Sequence, residues 1–545
     1  MKRSAWLLVP FVSLVVFHHA ILFSGFALTP SGAGDSMLVN YVLEHDYRWV
    51  TGNQLHHSLW SPPIFYPQRD TAAYTDLMLG ALPPYAVWRL FGAGPATALQ
   101  LWVITVSALN FLAAYWLLCH VLACGWIGSS AGALLLAFGS PRLAQLTHLQ
   151  LWPAFYTIAV FAGLCMLFRR DPVELTRRQA YTGLALFLGG FCLQLYTAFY
   201  YAWFMAFTIA LGVVFSLLLP GARSRLLGFL RTWWRASLVA GALAAIAMMP
   251  YVAVAWKVMK QVGGYPYSYL TQFLPSPQAW LAQGPSHLLY GGLNRLAGIG
   301  PTYGSQEMFN GIGLFTTGLV IGGLILFRRL TLVRLWGCVG LTVILLSLVW
   351  PGGHSLWRFI YSWIPGAAAI RAVGRFGVYL LLPASIVLAF TIDRVGARFS
   401  RIAALACLLA VTLEQAGSLQ GARNYVKAEA LARVDEIARR IGPECSTLLF
   451  SWNREMRPPR MHVLGMWAEL ATGVPTLNGY SGQFPPNWPL ADVTVSNPDE
   501  RKRVLGNIKL WTDTHPADFS NVCWVLPDES VPPRKSLTLL PMPMR

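Results

Sequence analysis

Between Thr29 and Asp76 the chain carries five acids, Asp35, Glu44, Asp46, Asp70 and Asp76, although only ten of its 23 carboxylates precede residue 420. The same stretch holds His45, His56, His57, Arg48, Arg69 and the rings of Tyr47, Trp49, Trp60 and Tyr66. Carboxylates and imidazoles can carry a proton to or from a reacting group, and the rings offer flat stacking surfaces. Asp35, in Gly34-Asp35-Ser36, comes first after an apolar run. Two readings of it stand: a general base, or a helix N-cap accepting backbone N–H bonds. One residue can do both. A second group, Arg371 and Arg375, lies four residues apart in a segment that also holds His354 and Arg358. On a helix the pair would share a face, and a planar guanidinium grips a phosphate through two parallel bonds. The rival reading for the pair is contact with lipid head groups.

The elements that hold these residues are apolar. Of 545 residues 55% are hydrophobic and 12% charged, against roughly 25% charged in ordinary soluble domains. Runs of about 20 apolar residues, enough to cross a bilayer, recur over 1–419. The expected spans are 5–27, 97–119, 125–140, 151–168, 181–197, 200–219, 236–256, 310–328, 334–350, 376–391 and 402–418, about eleven transmembrane helices. The net charge of +18 does not imply nucleic acid, because the basic residues form no single patch. They set orientation instead. With Lys2 and Arg3 inside, the clusters Arg169 to Arg178, Arg223 to Arg235, Arg328 to Arg334 and Arg394 to Arg401 all fall inside. Counting 74–92 as a span would reverse them, so this stretch is expected to lie on the outer face as an interfacial or re-entrant helix. A cleaved signal peptide is the competing reading of Met1 to Ala27.

Three long connections then face outward, 29–96, 257–309 and 351–375. In the first, the spacing predicts an amphipathic surface helix over Ser36 to Trp49, and prolines make Trp60 to Pro67 extended. The second carries Tyr265-Pro-Tyr267-Ser-Tyr269 and Glu307, its one acid. Those tyrosines read either as sugar or prenyl contacts or as an interfacial aromatic belt. From 420 to 545 the composition turns polar. A helix at 427–440, strand-like pieces at 447–450 and 522–526 and a helix at 498–511 predict a small soluble α/β domain, outside by parity. Cys445 and Cys523 each abut a strand and would pair in an oxidising compartment. The turn-rich Asn478-Gly-Tyr480-Ser-Gly482 reads as a connector or as a loop closing over the membrane part. No Walker loop, His-Glu-x-x-His, paired CxxC or nucleotide-binding glycine fingerprint is present, so ATP, zinc-hydrolase and NAD chemistry lack support.

Gly34-Asp35 after the first helix, the acidic first outer loop, the Pro83-Pro84 segment, Ile370-Arg-Ala-Val-Gly-Arg375 and a terminal soluble domain together resemble the GT-C class of polytopic glycosyltransferases, which includes protein O-mannosyltransferases and the lipid A aminoarabinose transferase. The resemblance implies an inverting transfer of a sugar from a polyprenyl-phosphate donor to a glycan, lipid or protein acceptor, on the outer face of the inner (plasma) membrane. It casts Asp35 as catalytic base and Arg371, Arg375 and Arg69 on the donor phosphate. Asp46, Glu44, Arg48, His57, Tyr267, Glu307, His354 and Tyr480 are the candidate substrate contacts. No cofactor is expected; a divalent metal held by Asp35, Asp46 and a first-loop histidine is the alternative. The rival functions are a transporter or flippase for a lipid-linked glycan and a membrane scaffold.

Overall fold

The computed structural model describes residues 7–168, 171–296, 298, 305–421, 424–517 and 519–526. Lys2, Arg3, Arg169 and Arg170, used in the charge argument, lie outside the described residues. The chain divides into two compact units. One comprises Met1–His19, Val103–Pro250 and Gly264–Ala422, the other Ala20–Trp102, Tyr251–Gly263 and Arg423–Arg545.

The first unit is helical. Each expected span overlaps helix among the described residues, from Leu8–Phe17 and Pro95–Trp116 through Phe155–Phe168, Phe199–Leu218 and Leu314–Leu326 to Leu381–Arg398 and Arg401–Ala416. Six helices among the described residues are long and apolar enough to cross a membrane, and a bent pair, Thr331–Ser347 with Pro351–Trp363, makes a seventh if it is one span. The chain is a multi-pass membrane protein. Pro220–Val262 shows why: its most apolar window is 6% buried, with Leu238, Leu243, Ile246 and Met249 all more than 60% exposed. A helix this apolar and this uncovered needs an apolar solvent. It breaks at Trp233, whose backbone leaves the helical region. Glycine sets close helix contacts, since a Cβ on Gly128 would sit 2.5 Å from the Ala389 carbonyl oxygen and one on Gly132 2.7 Å from that of Ser385. Small residues at such crossings let backbones approach.

The second unit joins segments far apart in sequence. Strand β1, Leu28–Pro30, pairs antiparallel with β2, Asn424–Val426. Strand β3, Thr447–Phe450, runs parallel to β4, Val522–Val525. The proline-rich stretch is extended as expected and is tied to the turn-rich loop: Phe65 N donates to Asn478 O at 3.0 Å and Thr476 N to Pro63 O at 3.0 Å. The unit therefore takes in 29–96 as well as the C-terminal segment from 423, whereas composition alone puts one boundary at 419/420. Hydropathy cannot register strand pairing across about 400 residues of sequence.

The helix expected over Ser36 to Trp49 runs Asp35–Val50, and it is not a surface helix. Met37, Tyr41, Leu43, Glu44, His45 and Asp46 are buried. Its partner is Pro458–Thr472, where Trp467 Nε1 donates to Met37 O at 3.0 Å. That second helix was not foreseen because Met461 to Leu470 are all buried, and a helix covered on every side shows no apolar stripe. The helices Lys427–Ala438 and Pro498–Thr514 stand where expected, and Cys445 and Cys523 form a disulfide. Within 74–92 the helix is Leu82–Leu90, nine residues. It rises about 13 Å, under half of the roughly 30 Å hydrocarbon core.

Candidate functional site

Asp35 opens its helix at the first helical position, with Gly34 as the N-cap. Its Oδ1 accepts the Tyr480 hydroxyl at 2.9 Å. Gly479, beside that tyrosine, lies where a Cβ would run into the Phe65 ring, so the turn-rich loop seats against the extended stretch only with glycine there. First loop and C-terminal segment thus meet at this carboxylate.

About two and a half to three and a half turns further on, the helix carries charges that are held inside the unit. Glu44 Oε1 accepts Arg48 Nε at 3.2 Å and Arg89 Nη2 at 3.1 Å. Its Oε2 accepts Arg89 Nε and the Tyr85 hydroxyl, each at 2.9 Å. Arg89 is thus bidentate, and Arg48 also donates to Leu470 O. Asp46 is fully buried, and neither carboxylate oxygen finds a partner among the described residues. Burial pushes its carboxyl well above the usual range.

A buried polar chain joins the helix to Pro458–Thr472. His45 Nε2 lies 3.1 Å from Leu59 O, and its Nδ1 lies 2.8 Å from His56 Nδ1. His56 Nε2 faces Glu469 Oε1 at 3.1 Å, and Tyr41 donates to Glu469 Oε2 at 2.6 Å. Burial lowers both imidazoles to about 3, His45 helped by His56 and His56 by Arg48. Burial also raises Glu469 to about 8. All three are therefore neutral near pH 7, and the hydrogen bonds assign two protons, His45 Nε2–H to Leu59 O and His56 Nδ1–H to His45. Sequence reasoning missed Glu469; the signal is an acid inside an apolar run, Met461 to Leu470.

In the helical unit, Arg371 and Arg375 do not share a helix. Arg371 precedes the short 3₁₀ turn Val373–Arg375, where Gly374 packs so closely on the Glu307 backbone that a Cβ would clash. Arg375 is buried and donates through Nε to Glu307 Oε1 at 3.1 Å. Its guanidinium lies 4.7 Å from the Tyr200 ring centre. The Arg371 guanidinium lies 5.7 Å from the Tyr265 ring and 5.5 Å from Phe273. Its Nε is buried with no hydrogen-bond partner among the described residues. His148 is held well below its ordinary pKa by burial and then by Arg375 and Arg371. Nearby Arg142 is buried as well and donates to Leu136 O, Leu151 O, Trp152 O and the Tyr201 hydroxyl. Glu307 is the one acid ion-paired within this cationic cluster among the described residues, and it also accepts Gln145 Nε2.

The remaining candidates stand apart. His57 and Arg69 are exposed in the second unit; the buried histidine there is His56. In the first unit His354 is exposed, and Tyr267 packs on Tyr361 at 5.2 Å. Among the described residues the one cluster with three metal-ligating atoms is Glu444, Cys445 and Cys523. Its sulfurs are joined in the disulfide, which removes the thiolates a metal would need. Asp35, Asp46 and a first-loop histidine do not form such a cluster there.

No protein-family model matches the chain, and no curated protein matches it. Among solved structures it is similar to the Archaeoglobus fulgidus oligosaccharyltransferase AglB in complex with an inhibitory peptide and a dolichol-phosphate, at 12% identity and a TM-score of 0.47, over 88% of this chain and 65% of that one. The same archaeal enzyme in complex with Zn and sulfate gives 14% identity and a TM-score of 0.46, over 86% and 62%. The chain thus spans under two thirds of the length of these oligosaccharyltransferase structures. It is also similar to ArnT from Cupriavidus metallidurans bound to undecaprenyl phosphate, at 13% identity and a TM-score of 0.36, over 96% of this chain and 90% of that one.

Proposed function

We propose that this protein is an integral membrane glycosyltransferase that moves a sugar from a polyprenyl-phosphate donor to an acceptor hydroxyl on the extracytoplasmic face, with inversion. The observation that carries the reading is Arg371, a largely buried guanidinium with an unsatisfied Nε, beside Arg375 and with one ion-paired acid for the cluster. An unsatisfied buried charge is costly unless something else completes it. A phosphate does so with matching geometry, and a phosphate on a prenyl chain would suit a membrane bundle. In this reading Asp35 removes the proton from the acceptor hydroxyl as it attacks the anomeric carbon. The bond from that carbon to the phosphate oxygen breaks, and its electron pair leaves on the phosphate. The Tyr480 hydroxyl fixes the Asp35 rotamer. Glu44 and Arg48 lie on the same helix and hold its position from within the unit.

The test is transfer from synthetic polyprenyl-phosphate sugars by detergent-purified protein, wild type against Asp35→Asn. Asn suits the first turn of a helix and still accepts the Tyr480 bond, but it cannot take a proton. Transfer should fall by roughly 10²–10⁴-fold, the usual cost of losing a general base, with folding unchanged. Near-normal transfer by a well-folded variant rules out the role of Asp35. Transport of an unaltered lipid-linked glycan without transfer rules out the enzyme.

A further inference from the structure

Within the helical unit lies a cavity of about 680 Å³ whose lining does not include Arg371 or Arg375. Its wall includes Leu164, Phe168, Ile209, Leu226, Trp336 and Phe390. Two arginines, Arg225 and Arg329, are the charged residues among its lining, and no acid accompanies them. Ser237 also lines it, and its Oγ is buried with no hydrogen-bond partner among the described residues. A hydroxyl in a helix ordinarily bonds back to a carbonyl one turn earlier, so this one is left available.

The lining has a common address. Phe168, Ser216, Leu226, Leu330 and Phe390 adjoin the basic connections that the charge distribution assigns to the cytoplasmic side. The segment 220–232, cut off from the rest of its helix at Trp233, supplies Leu226, Phe229 and Leu230 to the wall, and Arg225 Nη1 donates to Phe168 O at 3.2 Å. An apolar space with cations among its lining, at the inner end of a bundle, matches one amphiphile: acyl chains inside and an anionic phosphate head at the arginines. Basic pockets between membrane helices on this side are built for such head groups.

We infer that this cavity is a binding site for an anionic phospholipid of the cytoplasmic leaflet, separate from the proposed donor site. The volume is in the range of lipid- and drug-sized sites. The ion pairs orient the head, and Ser237 and Thr331 add hydroxyls among otherwise apolar residues.

The experiment is native mass spectrometry of the full chain, delipidated in detergent and titrated with phosphatidylglycerol, phosphatidylcholine of identical acyl chains, and undecaprenyl phosphate. Wild type is expected to retain phosphatidylglycerol over phosphatidylcholine by roughly thirtyfold, the scale of two surface cations acting on an anionic head. The Arg225→Ala/Arg329→Ala variant should lose that preference. Gly241 lines the cavity, and a Cβ there meets nothing within 4 Å. Gly241→Leu should therefore fold, fill the space and lose both phospholipids. Equal retention of both phospholipids by wild type overturns the proposal, as does a preference that survives the double variant or resists Gly241→Leu. Retention of undecaprenyl phosphate alone overturns it too.

Discussion

Arg371 and Arg375 differ in what they are free to do, and their sequence spacing hides it. Arg375 holds Glu307 through Nε, so its removal strips the partner from a buried carboxylate. Arg371 has rings around it, and among the described residues its Nε has no hydrogen-bond partner. We therefore expect Arg371→Ala to fold normally and to weaken binding of a polyprenyl-phosphate analogue by 10-fold or more, about the 1.5–3 kcal/mol of a hydrogen bond to a charged group. Arg371→Lys should recover only part of it, because an ammonium lacks the planar fork. Calorimetric titration of the analogue reads both. Arg375→Ala should instead lower the melting temperature. Asp35 was legible because a carboxylate directly after an apolar run is rare in this chain. Its tie to Tyr480 was not, since 445 positions separate the partners. Glu44 stood out as an acid, but nothing in a sequence says that Arg89 and Tyr85 already fill its lone pairs.

At the level of elements, the Asp35–Val50 helix shows where periodicity misleads. Its polar residues lie opposite an apolar stripe, as on a surface helix, yet they face a second helix that answers them with Glu469 and the Leu470 carbonyl. This junction should respond to pH. Glu469 is raised to about 8 from 4.5, so the folded state keeps a proton that the unfolded chain loses. The stability this gives is full below 4.5 and is lost as pH rises through about 8. His45 and His56 are lowered to about 3 from 6.5, so their contribution is full above 6.5 and is lost as pH falls toward 3. Melting temperature should therefore decline on both limbs. Glu469→Gln should flatten the alkaline limb and leave the acid one. Glu469→Ala should cost about 1–3 kcal/mol by stranding the buried Tyr41 hydroxyl. An alkaline limb unchanged in the Gln variant would locate the titration elsewhere. The disulfide makes a separate claim: Cys445 and Cys523 close 78 residues, and Cys445→Ser/Cys523→Ser should cost this unit about 2–4 kcal/mol in denaturant unfolding.

For the whole molecule, the second unit constrains the topology more tightly than hydropathy does. Strand β1 pairs with β2, and one unit contains Ala20–Trp102, Tyr251–Gly263 and Arg423–Arg545. These segments therefore share one side of the membrane, and an even number of crossings must separate each from the next. The eleven-span reading satisfies this with six crossings between 97 and 256 and four between 310 and 418. A crossing within 74–92 would break it, because β1 would lie opposite β2. The six longest helices alone also satisfy parity, so another observation must decide. In that topology neither Trp126–Phe138 nor Arg177–Leu195 crosses, and the connection after Phe168 emerges outside while the one after Leu218 stays inside. The lipid-sized cavity brings Phe168, Ser216, Leu330 and Phe390 into one wall, which favours a single side for all four connections. The arginine clusters favour the same answer. Labelling with an impermeant maleimide, in a background lacking the six free cysteines, tests it at exposed positions. Gln54→Cys and Lys502→Cys should react in intact cells, and Glu174→Cys and Arg328→Cys only after permeabilisation. Reaction of Glu174→Cys in intact cells would favour the six-span topology and remove the cytoplasmic address of the cavity. A difference between Gln54→Cys and Lys502→Cys would mean that the first loop and the C-terminal segment do not form one unit, and with it Tyr480 would lose its place beside Asp35.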